Sequence, residues 1–119
     1  MTLEPAAASM RLYALDAWVA DPAILIDKTE LRTILRAGAD SGRARIVGEA
    51  FHTFPNGALT GVLLLAQSHL SIHTWPELLL ANVDLLTYGD VDGELALRVV
   101  SERLGATRTS VAIVARGRR

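Results

Sequence analysis

Residues 58–75 have the sequence ALTGVLLLAQSHLSIHTW and decide the fold of this chain. The stretch is rich in leucine, β-branched and aromatic residues, and it predicts two successive strands over about 58–66 and 69–75. Similar composition continues on either side, where strands are predicted over about 44–54 and 82–88. The clearest turn is Pro55-Asn56-Gly57. Strands joined by such short turns pair as antiparallel neighbours in one sheet.

Two helical segments flank these strands. In the first, Asp21-Pro22 matches a helix N-cap followed by a first-turn proline. This helix is predicted to run for roughly 15 to 19 residues and to end at Gly38 or Gly42. Its apolar face is formed by residues at helical spacing: Ile24, Leu31 and Leu35. A second helix is predicted over about 92–104.

Two further strands complete the pattern. Residues up to about Ser9 are predicted to form a loose tail, followed by a first strand from Met10 to Ala20 and, at the other end, a last strand from Thr109 to Ala115. The order β-α-β-β-β-β-α-β predicts an α+β fold, a two-layer sandwich of an antiparallel β-sheet with two helices on one face. The 119 residues suit a single domain over 1–119, and so short a chain is expected to form an oligomer.

The composition excludes several classes of function. Twelve basic and 13 acidic side chains give a net charge of -1, so neither nucleic acid nor a membrane is expected as a partner. The chain has no cysteine, which excludes disulfides, thiolate metal sites and a cysteine nucleophile. No stretch approaches the roughly 18 apolar residues that span a bilayer, and the N-terminus lacks the pattern of a signal peptide. A soluble cytoplasmic protein is therefore expected.

Reactive side chains are concentrated in Gln67–Glu77, QSHLSIHTWPE, which places a serine, two histidines, a tryptophan and a carboxylate in 11 residues. A metal site is one interpretation of the histidines. On a strand, however, His69 and His73 lie about 13 Å apart at roughly 3.3 Å per residue, too far for simple chelation of one ion. No metal is therefore expected. We interpret His52 as a half-buried strand residue and Trp75 as a packing residue.

The reactive segment resembles the processing site of the prokaryotic pyruvoyl-dependent S-adenosylmethionine decarboxylase family. The likeness covers almost the whole chain, with FHTF at 51–54, TGVLLL at 60–65, SHLSIHTWPE at 68–77 and DLLTYG at 84–89. In this family the serine before H-L-x-I-H-T-W-P-E is converted into a pyruvoyl group. The resemblance therefore implies that the cofactor is a pyruvoyl group generated from Ser68.

The resemblance also implies a route of self-cleavage. Ser68 Oγ attacks the carbonyl of Gln67 in an N-to-O acyl shift, the resulting ester undergoes β-elimination, and hydrolysis then releases ammonia. Two chains result, 1–67 and 68–119. His73 matches the processing histidine of the family, and imidazole is well suited to moving protons at neutral pH.

Further site residues follow from the same resemblance. Thr60 stands where the family commonly has a processing serine, and Gln67 stands where many members have glutamate. Tyr88 replaces the cysteine that donates a proton to the substrate carbon, so the acid is either Tyr88 or His73.

The expected substrate-binding residues are Phe54, Glu77 and Leu70. Phe54 matches an adenine-stacking aromatic of the family, and Glu77 matches an acid associated with nucleoside recognition.

The leading hypothesis is a pyruvoyl-dependent decarboxylase of polyamine biosynthesis that acts on S-adenosylmethionine. The pyruvoyl ketone would condense with the substrate amine and accept the electrons left when CO₂ departs. One alternative is a diverged L-arginine or L-ornithine decarboxylase, because the family cysteine is lost. Another is a catalytically weak regulatory paralogue, which the departures at Gln67, Thr60 and Tyr88 favour.

The expected partners are a small-molecule substrate with an α-amino acid group and further copies of the chain, in a homodimer or a higher homo-oligomer.

Overall fold

The structure, a computed structural model, describes residues 10–117, so the tail predicted up to Ser9 lies outside the described residues. The strands are β1 (Arg11–Val19), β2 (Ile46–Thr53), β3 (Leu59–Leu65), β4 (Ser68–Trp75), β5 (Leu80–Thr87) and β6 (Ala106–Ala115). The α-helices are α1 (Lys28–Ser41) and α2 (Gly93–Leu104), and short 3-10 helices span Pro22–Ile26 and Pro76–Leu78. Within residues 10–117, no helix has both the length and the apolar character needed to cross a bilayer.

All six strands form one sheet in the order β2-β3-β4-β5-β1-β6, and every neighbouring pair is antiparallel. The first strand of the chain therefore lies between the fifth and the sixth. Both helices cover one face of this sheet, which confirms the predicted α+β two-layer sandwich.

The alternation of side chains along each strand separates two faces. On one face, apolar side chains such as Leu63, Leu70 and Val83 are fully buried against the helices. We call the opposite face, which carries the other set of alternating side chains, the open face. Its residues on the four strands from β3 to β1 include Thr60, His69, Ser71, His73, Trp75, Asn82, Asp84, Asp16 and Trp18.

The first helical segment differs from the prediction of one continuous helix. Asp21 does act as an N-cap, but of the 3-10 helix Pro22–Ile26, through a 3.0 Å hydrogen bond from Ala23 N. Asp27 then has an extended backbone, and its carboxylate accepts a 3.0 Å hydrogen bond from Glu30 N to start α1. The two local caps divide the segment, because each satisfies one free N–H group in the first turn of its own helix.

The helix α1 continues through Gly38, one of the two predicted ends, and ends at Ser41 with Gly42, the other predicted end, as its C-cap. Gly38 lies at the crossing with α2, where a Cβ would stand 2.6 Å from Val100 Cγ2 and 3.0 Å from the carbonyl oxygen of Ala96. The missing side chain therefore allows close helix packing at this point.

An ion-pair network attaches α1 to β2, which is an edge strand of the sheet. The Glu49 carboxylate on β2 accepts hydrogen bonds from Arg32 Nε at 2.5 Å and from Arg36 Nη1 at 2.9 Å. The hydrogen bond from Arg32 is the main cause of a lowered pKa for Glu49. Both arginines belong to the helix, so the network holds the helix layer over this edge.

Candidate active site

The alternation of side chains along β4 divides the predicted site residues of this strand between the two faces of the sheet. His69, His73 and Trp75 lie on the open face, whereas Leu70 points to the helices and is fully buried in the core. The expectation that Leu70 binds substrate is therefore not supported by its position, since its side chain packs among core residues.

One group of predicted residues lies at the start of β4. The chain turns at Ala66–Gln67, and Gln67 is exposed. Ser68 Oγ donates a hydrogen bond to the carbonyl oxygen of Leu86 on β5. A cavity of about 130 Å³ brings Gln67 and Ser68 together with the half-buried Tyr88. We call Gln67, Ser68 and Tyr88 the serine group.

Basic side chains border the cavity of the serine group. Arg43 and Arg45, in the connection between α1 and β2, line it together with Asp90. Arg43 Nη2 donates a 2.7 Å hydrogen bond to the carbonyl oxygen of Asp90, which joins this connection to the loop after β5. The arrangement places positive charge beside the turn that contains Gln67.

A second group lies near the other end of β4. Thr60 and His73 are paired across β3 and β4, and Thr60 Oγ1 lies 2.6 Å from His73 Nδ1, with either atom able to donate. The His73 ring lies 5.8 Å from Phe54 and 4.4 Å from Trp75, between ring centroids. A cavity of about 280 Å³ is lined by Phe54, Asn56, Ala58, His73, Trp75 and Glu77. We call Thr60, His73, Phe54 and Glu77 the histidine group.

The structure does not bring the two groups together within one chain. Ser68 and His73 are five residues apart along β4, or about 16 Å at the rise of an extended strand. Tyr88 lines the cavity at the Ser68 end, and Phe54 and Glu77 line the cavity at the His73 end. One chain therefore presents the predicted site residues as two separate groups.

Two polar residues near the histidine group were not identified from the sequence. Asn82 and Asp16 stand on β5 and β1 at open-face positions, and they are hydrogen-bonded in a series that starts at Trp75. The available signal was the polar residues inside two largely apolar strands, Asp16 in LYALDAWV and Asn82 and Asp84 in LANVDLL. Trp75 packs against His73 as predicted for a packing residue, but its side chain is also 38% exposed and forms part of the cavity wall.

His52 is an exposed residue of β2 whose ring packs edge-on against Phe54, with 4.6 Å between centroids. It is therefore less buried than the half-buried strand residue expected from the sequence. Among residues 10–117, no three His, Cys, Asp or Glu side chains lie close enough to hold one metal ion. A larger cavity of about 450 Å³ lies between α2 and strands β1 and β6, and none of the predicted site residues lines it.

Comparisons with known proteins identify a matching family and several relatives of this chain. A family model described as S-adenosylmethionine decarboxylase matches residues 11–117. The S-adenosylmethionine decarboxylase proenzyme of Pseudomonas aeruginosa (strain UCBPP-PA14) is 49% identical over 80 residues, which cover 66% of this chain and 50% of the relative. The proenzyme of the same name from Caldicellulosiruptor saccharolyticus is 38% identical over 107 residues, which cover 89% of this chain and 82% of the relative.

A solved structure is also similar. The crystal structure of the adenosylmethionine decarboxylase from Aquifex aeolicus VF5 aligns with a TM-score of 0.79 and 30% identity, over 92% of each chain. The matched region is half the length of the Pseudomonas relatives. The family model nevertheless extends over nearly all of the described residues, from β1 to the end of β6. This chain belongs to the S-adenosylmethionine decarboxylase family.

Proposed function

We propose that this protein is a self-processing, pyruvoyl-dependent decarboxylase of polyamine biosynthesis that acts on S-adenosylmethionine. The observation that carries the proposal is Ser68, which stands in the family motif directly after an exposed turn and shares a cavity with Tyr88. The bond between Gln67 and Ser68 is thus at an accessible point of the chain. The cytoplasmic location expected from the sequence remains a prediction.

The residues around Ser68 fit the formation of a pyruvoyl group. The hydrogen bond to the Leu86 carbonyl holds Ser68 Oγ at the start of β4, and Gln67 lies in an exposed turn outside the core. The acyl shift breaks the peptide C–N bond and forms an ester. Elimination then removes the Cα proton of residue 68 and breaks the bond between Cβ and Oγ, which releases Gln67 as a carboxylate, and water finally replaces nitrogen as ammonia is released. When formed, the group supplies a ketone that accepts electrons during decarboxylation.

The remaining chemistry requires proton transfers, for which this chain offers two side chains. Tyr88 lines the cavity beside Ser68 and would deliver a proton to the substrate carbon. The imidazole of His73, held by Thr60 Oγ1 at 2.6 Å, would move protons during self-processing. Phe54 would stack on the adenine and Glu77 would accept hydrogen bonds from ribose hydroxyls, because both line the cavity next to His73.

We further propose that the working unit is a homodimer with composite sites. A separation of about 16 Å along β4 is too long for Ser68 and His73 of one chain to act on one substrate. A two-fold axis would place the serine group of one protomer against the histidine group of its partner, and would do so twice. The open face carries the histidine group, which makes it the surface that the partner would cover.

A mixture of two inactive chains tests the composite site. We expect Ser68→Ala and His73→Ala each to fail to complete self-cleavage alone. In a mixed dimer, one site would combine Ser68 of the His73→Ala chain with His73 of the Ser68→Ala chain. The His73→Ala chain should then be cut, which a mass spectrum of the mixture would detect. As a control, the double variant Ser68→Ala/His73→Ala should not support this cut, and an uncut mixture despite mixed-dimer formation would contradict the proposal.

The wild-type protein provides the direct test of function. We expect a mass spectrum to show two fragments, 1–67 and 68–119, the second without a free amino end. A single intact chain that binds another family member would instead favour the regulatory paralogue. Decarboxylation should then be assayed with S-adenosylmethionine, L-arginine and L-ornithine in parallel, because Tyr88 in place of cysteine specifically favours the diverged alternative. Turnover of arginine or ornithine alone would overturn the proposed substrate.

A further inference from the structure

A hydrogen-bonded series crosses three adjacent strands on the open face. Trp75 Nε1 on β4 donates to Asn82 Oδ1 on β5 at 2.6 Å. Asn82 Nδ2 in turn donates to Asp16 Oδ1 on β1 at 2.7 Å. Asn82 and Asp16 are directly opposite each other in the β1–β5 register, so the backbone pairing itself brings them together. We call these three residues the tryptophan relay.

The chemistry of the three side chains gives the relay one direction. An indole N–H can only donate, and an ionised carboxylate can only accept, whereas an amide has one acceptor and one donor end. The two neighbours therefore fix the orientation of Asn82, with its oxygen toward Trp75 and its nitrogen toward Asp16. A charged acceptor at the end of the series strengthens the hydrogen bond from Asn82.

The relay ends at a residue of the cavity wall. Trp75 packs on the His73 ring at 4.4 Å between centroids with an interplanar angle of 62°, and Thr60 contacts Nδ1 of the same ring at 2.6 Å. The imidazole is thus contacted by a hydroxyl and by an indole ring in an edge-type arrangement. Within one chain Trp75 is 38% exposed, so the core of that chain does not enclose the indole, and the hydrogen bond to Asn82 is a specific restraint on it.

We propose that Asp16 and Asn82 are positioning residues that hold Trp75 and, through it, the His73 imidazole and the wall of the adjacent cavity. They touch no reacting atom and act on the site through the indole. The inference rests on the proposed function for its kinetic consequence, but the restraint on Trp75 is a property of the folded chain and can be measured without substrate.

An exchange of the amide and the carboxylate tests the relay. Asn82→Asp removes the only donor between positions 82 and 16 and sets two carboxylates against each other. The double variant Asp16→Asn/Asn82→Asp restores a donor at position 16 and keeps an acceptor for Trp75 at position 82. Both are made in a Trp18→Phe background, so that acrylamide quenching of fluorescence reports on Trp75 alone.

We expect Asn82→Asp to raise the quenching constant of Trp75 and the KM for S-adenosylmethionine, the latter by roughly 3- to 10-fold, the range for one lost hydrogen bond. The double variant should return both values to within about twofold of the Trp18→Phe parent. Ser71→Asp is the matched control. It places a new carboxylate opposite Asp84 on the same face, away from the relay, and, when compared with the parent at equal dimer content, should leave the quenching of Trp75 unchanged.

Unchanged quenching in Asn82→Asp, or a double variant no better than the single one, would overturn the inference. An equal effect of Ser71→Asp would also overturn it, since added charge alone would then explain the result. A failure of the proposed function can be distinguished from a failure of this inference. In that case the parent would neither self-cleave nor turn over substrate, while the quenching series would still decide whether the relay holds Trp75.

Discussion

Ser68→Ala is expected to remain a single uncut chain of about full mass, whereas the wild type separates into 1–67 and 68–119. The substitution removes the oxygen that attacks the Gln67 carbonyl, and no alternative nucleophile occupies that atom's place. The fold should persist, because Ser68 contributes one side-chain hydrogen bond, to the Leu86 carbonyl, at the edge of a cavity. Denaturing mass spectrometry measures the outcome directly.

A matched serine on the same strand provides the control. Ser71 lies three residues further along β4 on the open face and has no role in the proposed acyl shift. Ser71→Ala should therefore cleave as the wild type does. Continued cleavage between residues 67 and 68 in Ser68→Ala would rule out the serine mechanism, and loss of cleavage in both variants would point to a general effect on β4.

Tyr88→Phe is expected to separate self-processing from turnover. The variant keeps the ring, which lines the cavity beside Ser68, and deletes only the acidic hydroxyl. If the phenol is the acid, cleavage should proceed while turnover falls by roughly 10²- to 10⁴-fold, the usual range for one general acid. Misplaced protons should also leave a fraction of the 68–119 chains with an aminated, inactive end, which is visible by mass.

Tyr88→Cys tests the other role of the ring, which is to shape the pocket. A smaller side chain should shift the preference toward S-adenosylmethionine if the phenol had excluded that substrate. Normal turnover and unchanged preference in both Tyr88 variants would show that the residue is structural. The proton donor would then have to be sought at His73.

The strands could be predicted closely because the alternation of apolar and polar residues along a strand is a local property of the sequence. The β3 and β4 bounds, Leu59–Leu65 and Ser68–Trp75, differ from the predicted 58–66 and 69–75 by one residue at most. The last strand starts earlier than Thr109, because Gly105 adopts φ 74° and turns α2 directly into β6 at Ala106. Asp27 was not identified as a cap from the sequence, although Asp27-Lys28-Thr29-Glu30 has the capping pattern of an N-cap residue followed three residues later by glutamate.

The site was harder to predict than the strands. The motif identified the reactive residues, and the burial of Leu70 was itself available from the alternation that puts His69 and His73 on the other face. The contact between Asn82 and Asp16 could not be predicted from the sequence, because it joins residues 66 positions apart and depends on which strands become neighbours. The separation of the serine group from the histidine group likewise depends on the extended geometry of β4.

The position of β1 between β5 and β6 has a consequence for the order of folding and cleavage. A cut after Gln67 would leave β1, β2, β3 and α1 on one fragment and β4, β5, β6 and α2 on the other. Three of the five strand ladders, β3–β4, β1–β5 and β1–β6, would then join separate polypeptides. Neither fragment could complete the sheet alone, so the chain must fold before it is cut, and refolding after denaturation would become a second-order encounter between fragments. Maturation would thus turn a protein that folds from one chain into one whose recovery depends on fragment concentration.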